Sequence, residues 1–295
     1  MSVLIVIPAR YASTRYPGKP LVNLRGPDGV AKPLIRRSWE AAQAVRGADR
    51  VVVATDDARI REAAEGFGAE VVMTSDRWRN GTERCAEVLD RLPGYDIVVN
   101  LQGDAPLTPP WFVEDLITAL RAAPGAEVAT PVLRADGRAL TGFLADRRAG
   151  RVGGTTAVFG AGGRALYFSK EVIPFTSRTY AGAEPTPVFH HVGVYAFRPA
   201  ALRAYTTWEP GPLETLEGLE QLRFLENGRQ VLCVEVDARG RLFWELNNPE
   251  DVPRIEAMLA EMDSQPRLSR PRPSARQAGG VGAWRLGAGR GGGAE

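Results

Sequence analysis

Val3-Leu4-Ile5-Val6-Ile7 runs directly into Pro8-Ala9-Arg10-Tyr11-Ala12-Ser13-Thr14-Arg15-Tyr16-Pro17-Gly18-Lys19-Pro20-Leu21. An unbroken apolar run of this length, stopped by a proline, reads as a strand buried on both faces, the kind found in parallel sheets. The loop after it carries Arg10, Arg15 and Lys19, the hydroxyls of Ser13 and Thr14, and Gly18. At the carboxyl end of a strand, arginines that grip oxygens in pairs and a lysine that supplies a point charge suit a triphosphate. The spacing is not that of a Walker loop. A solvated basic loop is the alternative that the residues alone leave open.

Outward from this stretch, β-rich runs alternate with helical periods. Leu34, Ile35, Trp39, Ala42 and Val45 recur at helical spacing, Val51 to Ala54 reads as a strand, and Asp56 and Asp57 are cap candidates for a helix carrying Ile60, Ala64 and Phe67. Strands are expected at Glu70 to Met73, Ile97 to Leu101 and Val128 to Val132, with helices at about 82–92 and 111–122 between them. This alternation predicts a parallel sheet covered by helices on both faces, with ligands beyond the strands' carboxyl ends. Past Leu133 the rhythm changes. Ala165 to Phe168 and Val192 to Phe197 are expected in an antiparallel insertion spanning about 155–212, followed by a helix over 213–226, a strand over 231–236 and a helix over 249–262. The apolar Tyr195-Ala196-Phe197 and Trp208 fit either a dimer surface or an interior cluster.

The 295 residues carry a formal charge of +2, but residues 264–295 hold six arginines against one acid, leaving the first 263 at about −3. The basic charge is therefore not a face of the folded body, which argues against a nucleic-acid partner. No run approaches the roughly 20 apolar residues that span a bilayer, so no membrane association and a cytoplasmic location are expected. Cys85 and Cys233 read as buried thiols in a reducing compartment. The Arg, Pro and Gly-rich segment 264–295 is expected to stay disordered beside a domain of residues 1–263.

The loop Pro8-Ala-Arg-Tyr-Ala-Ser-Thr-Arg-Tyr-Pro-Gly-Lys-Pro-Leu21 resembles the nucleotide-binding signature of 3-deoxy-manno-octulosonate (KDO) cytidylyltransferases, the CMP-KDO synthetases of lipopolysaccharide assembly. The likeness continues through Ala54-Thr-Asp-Asp57, Gly81-Thr-Glu-Arg84, Gln102-Gly-Asp104, Ala165-Leu-Tyr-Phe-Ser169, His191-Val-Gly-Val-Tyr195, Pro212-Leu-Glu214, Leu219-Glu-Gln-Leu-Arg223 and Pro249-Glu-Asp251. It implies a Rossmann-like, three-layer α/β nucleotidyltransferase fold with a mostly parallel sheet and an antiparallel β insertion. It also implies CMP transfer from CTP to the anomeric hydroxyl of an acidic 3-deoxy sugar with release of pyrophosphate, a requirement for Mg²⁺, and a homodimer.

By that resemblance Arg10, Lys19 and Asp104 are the catalytic candidates, and Pro8, Ala9, Arg10, Ser13, Arg15, Lys19, Gly81, Thr82 and Arg84 bind the nucleotide. Gln102, Lys170, His191, Tyr195, Glu220 and Gln221 match sugar contacts, and Asp104 matches the principal magnesium carboxylate. Four positions depart from the family pattern: Ala105 stands for a glutamate, Asn247 for a second metal aspartate, Thr156 for a lysine and His190 for an arginine. Glu245, two residues before Asn247, shares its face if the segment is extended, and is a candidate replacement metal ligand. His190 and His191 are not read as a metal pair, since neighbours on a strand face opposite ways. These departures keep open a sibling specific for an amino-KDO or a sialic-type acid, and a nucleotide-binding pseudoenzyme.

Overall fold

The computed structural model describes residues 1–12, 16–241, 245–246 and 248–264, with side chains described through 261. Its first half is made of strand β1 (Val3–Ala9), the hairpin β2 (Asn23–Arg25) and β3 (Ala31–Pro33), helix α1 (Leu34–Gln43), β4 (Arg50–Thr55), α2 (Ala58–Gly66), β5 (Glu70–Met73), α3 (Gly81–Arg91), β6 (Ile97–Leu101) and α4 (Pro110–Ala122). Then come β7 (Val128–Asp136), α5 (Gly137–Arg148), β8 (Thr156–Phe159), β9 (Ala165–Ser169), β10 (Pro185–His191) and β11 (Val194–Phe197). The described chain closes with α6 (Pro199–Tyr205), α7 (Pro212–Glu217), α8 (Leu222–Glu226), β12 (Val231–Glu235) and α9 (Asp251–Ser264).

A ten-stranded mixed sheet organises all of this. β5, β4, β1 and β6 are adjacent and parallel, as the alternating rhythm predicts. Following the pairings outward, β7, β8 and β12 run the same way, and β9, β10 and β11 run against them. Along β1 the side chains alternate between two cores. Val3, Ile5 and Ile7 pack with Ile35, Ile60 and Phe112 from α1, α2 and α4, whereas Leu4 and Val6 pack with Val88, Leu202 and Phe224 from α3, α6 and α8. These are the three layers, and each such buried aliphatic or aromatic side chain contributes about 1.5–3 kcal/mol.

Two expectations need correction. The strand at Val194–Phe197 is antiparallel to its neighbours as expected, but it lies inside the main sheet between β6 and β7, and of the two placements left open for Tyr195 and Phe197 the interior one holds. The helix expected over 213–226 is two helices, because Gly218 takes a left-handed φ of 60° and ends α7, leaving Glu220 and Gln221 in the turn before α8.

β10 and β11 form one strand line interrupted at Val192–Gly193, and both pair with the same edge of β7. On their other side β10 pairs with β8 and β11 with β6, so the sheet divides at residues 191–193. The carboxyl end of β6 stands beside that division, because Leu101 is paired with Val194.

Candidate active site

At the carboxyl end of β1 the loop turns back on itself. Gly18 N–H donates to the Tyr11 carbonyl at 2.9 Å, and Gly18, at a φ of 71°, opens a short 3₁₀ turn over Lys19–Leu21. That turn sends Lys19 Nζ to Asp104 Oδ2 at 2.7 Å, across to the loop that follows β6. The two loops are fitted closely. A Cβ on Gly103 would lie 2.9 Å from the Pro8 carbonyl oxygen, the Ser38 hydroxyl donates to the Gly103 carbonyl at 3.0 Å, and Leu246 N–H donates to the Asp104 carbonyl at 2.9 Å. Arg10 reaches sideways, donating to the Arg79 carbonyl at 3.3 Å ahead of α3.

Asp104 Oδ1 is buried and has no hydrogen-bond partner among the described residues. An orphaned carboxylate oxygen beside a phosphate-type loop fits a hard divalent cation, which typically takes one or two protein carboxylates and completes its shell with phosphate and water. Among the described residues no group of three or more His, Cys, Asp or Glu gathers to hold a metal. Ser13, Arg15 and Asn247, together with the disordered-tail reading from 265 onward, lie outside the described residues.

The first turn of α3 forms the next wall. Asn80 caps it by accepting from Glu83 N–H at 2.9 Å, and a Cβ on Gly81 would meet Asn100 Nδ2 at 2.9 Å and Pro8 at 3.1 Å. A side chain larger than that of glycine would therefore have to displace the Asn100 amide or the Pro8 ring. Glu220 ties this wall to the β6 loop: Oε2 accepts from Thr82 N–H and Oε1 from Gln102 Nε2, each at 3.1 Å. Burial pushes the Glu220 carboxyl up to about 7, opposed by the bonds from Thr82 and reinforced by the Glu214 and Glu83 charges. Arg84 is turned inward instead. It bonds the Thr74 hydroxyl and pairs with Asp56 at 3.4 Å, so the structure does not present it beside Lys19.

The residues matched to the sugar collect around the sheet's division. Tyr195 OH donates to Gln221 Oε1 at 3.0 Å, Gln221 Nε2 is buried without a partner among the described residues, and Lys170 Nζ lies 3.0 Å from where a Cβ on Gly218 would be. A Cβ on Gly193 would sit 3.3 Å from Glu245 Oε1 and 3.7 Å from Gln102 Nε2, which places the Glu245 carboxylate on this side. His191 packs edge-on against Phe168 at 5.0 Å, with its Nε2 2.9 Å from the Thr130 hydroxyl. That hydroxyl donates to the Val194 carbonyl at 2.8 Å and so takes the imidazole N–H as acceptor. Burial lowers His191 to about 3 and His190 to about 4, so both rings are neutral at physiological pH. His190 faces the other way, against Phe143 at 5.3 Å. Thr156 is also buried, donating to the Glu171 carbonyl at 2.6 Å. The positions expected to be cationic in the family are thus filled by neutral groups.

Sequence reading assigned no role to the scaffold behind this wall. Arg223, 2% exposed, forms a fork with Glu214 at 2.6 and 2.7 Å, pairs with Glu83 at 3.0 Å, and lies 4.1 Å from the Tyr205 ring centre. Asn100, with both amide atoms buried beneath Gly81 and without a partner among the described residues, was likewise missed. Its signal was visible as a lone amide in the otherwise apolar strand Ile97–Leu101.

Comparison with known proteins follows this geometry. Residues 4–231 match a family described as cytidylyltransferase. The chain is 47% identical over 261 residues to the 3-deoxy-manno-octulosonate cytidylyltransferase of Maricaulis maris (strain MCS10), covering 88% of this chain and 98% of that one. It is 39% identical over 260 residues to the mitochondrial 3-deoxy-manno-octulosonate cytidylyltransferase of Arabidopsis thaliana, covering 88% and 83%. Among solved structures, CMP:2-keto-3-deoxy-manno-octonic acid synthetase complexed with CTP superposes with a TM-score of 0.75 at 33% identity, covering 89% of this chain and all of that one.

Proposed function

The chain belongs to the cytidylyltransferase family, and from that premise and the geometry above we propose that it transfers CMP from CTP to the anomeric hydroxyl of KDO. The anomeric oxygen attacks the α-phosphorus, a phosphorus–oxygen bond forms, the bond to the β-phosphate breaks, and pyrophosphate leaves as the hydroxyl proton is lost. Such a transfer needs alignment and charge stabilisation rather than a covalent enzyme intermediate. The observation that carries this reading is the 2.7 Å pair of Lys19 and Asp104, which brings the phosphate loop and the carboxylate loop to one point.

In this reading Arg10 and Lys19 hold the triphosphate and the departing pyrophosphate, with Ser13 and Arg15 contributing from the same loop. Pro8, Ala9, Gly81 and Thr82 border the base, where close backbone approach suits a flat ring edge. Gln102, Lys170, His191, Tyr195, Glu220 and Gln221 border the acceptor. Asp104 would hold Mg²⁺, which when bound supplies charge neutralisation at the phosphate oxygens. Glu245 and Asn247 are the candidates for a second ligand.

A homodimer belongs to the reading through the family likeness, with the exposed Leu166, Phe175 and Leu216, at 67%, 89% and 83% exposure, as the apolar side chains a second copy would have to cover. Among the described residues no helix is long and apolar enough to cross a membrane. A cytoplasmic enzyme that feeds lipopolysaccharide assembly completes the reading.

Pyrophosphate release tests it, using CTP, Mg²⁺ and a panel of KDO, 8-amino-KDO and sialic acids, with ATP, GTP and UTP as controls. Release that is fastest with CTP and KDO is expected. Release with no acid in the panel would overturn the reading, and a preference for another acid would replace the acceptor while leaving the chemistry.

A further inference from the structure

We propose that Arg59 is a positioning residue for CTP: by stacking on Tyr11 it clamps the neck of the phosphate loop to the first turn of α2. The inference rests on the reading of that loop as a triphosphate site, but concerns residues to which that reading gives no role.

The clamp is a continuous series of contacts. Thr55, the last residue of β4, is paired with Ala9 at the end of β1, so the loops after the two strands start side by side. Asp57 follows and caps α2, accepting Arg59 N–H at 2.9 Å. The same carboxylate holds the Arg59 side chain by a two-pronged contact, Nε to Oδ1 at 2.9 Å and a terminal nitrogen to Oδ2 at 2.6 Å. Fixed in this way, the guanidinium carbon lies 3.3 Å from the Tyr11 ring centre. A cation over the face of an aromatic ring is attracted by the ring's quadrupole, and a planar guanidinium stacks as well.

Tyr11 is where the loop closes. Its carbonyl accepts the Gly18 N–H, and a Cβ on Gly18 would fall 3.1 Å from three atoms of its ring. The ring is therefore in contact with Arg59 over its face and close to the bare Cα of Gly18 at its hydroxyl end, and Gly18 opens the turn that carries Lys19 to Asp104. Release of the ring would free the neck without removing any group assigned to a phosphate. Arg59 is largely exposed, with 58% of its side chain accessible, and although its partner Asp57 is only 18% accessible, that carboxylate keeps the Arg59 backbone N–H of the helix cap when the side chain is changed. The consequence expected is on the loop and not on the fold.

The test measures CTP binding by calorimetry, KM for each substrate, and melting temperature in the full-length protein. Arg59→Gln should weaken CTP binding about tenfold, equivalent to about 1.4 kcal/mol, while KM for the acceptor and the melting temperature stay at wild-type values. Arg59→Lys, which keeps a cation over the ring, should restore binding to within about threefold. Tyr11→Leu should reproduce the Arg59→Gln loss, and the double variant should be no worse than either single one, because both remove the same contact. Unaltered CTP binding in Arg59→Gln would overturn the clamp, as would additive losses or equal losses for both substrates with a lowered melting temperature. If wild-type protein itself fails to bind CTP, the triphosphate reading falls and the clamp falls with it.

Discussion

The two sides of the site differ in how they use charge. Beyond β1 and β6 the side chains are charged: Lys19 meets Asp104, Arg10 reaches sideways to the Arg79 carbonyl ahead of α3, and one Asp104 oxygen has no partner among the described residues. Around the division of the sheet, His190 and His191 are buried and neutral, Thr156 is spent on backbone, and the carboxylates of Glu220 and Glu245 stand near Gln102. Phosphate transfer makes the same demand whatever the acceptor, so that side is stated in point charges. On the proposed reading, recognition of a polyhydroxyl acid is left to hydrogen-bonding groups whose ionisation and placement are set by burial, and that side carries two of the four departures from the family pattern, Thr156 and His190, while Ala105 and Asn247 stand for acids of the carboxylate side.

The comparison is most severely tested at the point where the loops meet. Asp104→Ala or Lys19→Ala should lower kcat/KM at least about 10³-fold, the scale for groups that stabilise transition-state charge; losses below tenfold would show that the charged side is not the chemical one. Next in size is the scaffold. Arg223→Met leaves Glu214 and Glu83 buried without their cation and should cost about 3–5 kcal/mol of stability, measured by denaturant unfolding.

On the acceptor side, Glu220 supplies a pH test. Its folded pKa of about 7 lies above its ordinary 4.5, so its contribution to stability is present below about 4.5 and is lost as pH rises through about 7. Activity should move the opposite way, since the ionised carboxylate is the form that accepts from both Thr82 and Gln102. We expect kcat/KM to rise through about pH 7 in the wild type, and the limb to vanish in Glu220→Gln. Smaller still, Glu245→Gln should change the Mg²⁺ requirement if it ligates the metal; an unchanged Mg²⁺ titration with a raised acceptor KM would assign it to the sugar. Deleting 265–295 should alter turnover by less than about threefold.

Legibility in the sequence followed the same divide. The parallel side was readable because Val3–Ile7, Glu70–Met73 and Ile97–Leu101 are short apolar runs between turn residues, and because Asp57 sits where a cap is needed. The hairpin β2–β3 was missed, being two three-residue strands that bury only Leu24. Helix α5 was missed because only Gly137 and Leu140 of it are buried, which leaves almost no periodic signal. The position of Val194–Phe197 depends on pairing with β6 and β7, 67 to 99 residues earlier, and no local pattern encodes that. Arg223 looked like any surface arginine, since burial of a cation depends on carboxylates that arrive from α3 and α7. The site residues were named through family likeness; the spacing alone reached only as far as a phosphate loop.

The most direct test of the central claim, transfer of CMP to the anomeric oxygen, is to supply KDO labelled with heavy oxygen at that position and to record the phosphorus NMR spectrum of the product. An isotope-shifted resonance for the CMP phosphorus, with one pyrophosphate formed for each, is the predicted result. An unshifted resonance, or pyrophosphate formed without any CMP-sugar, would contradict it.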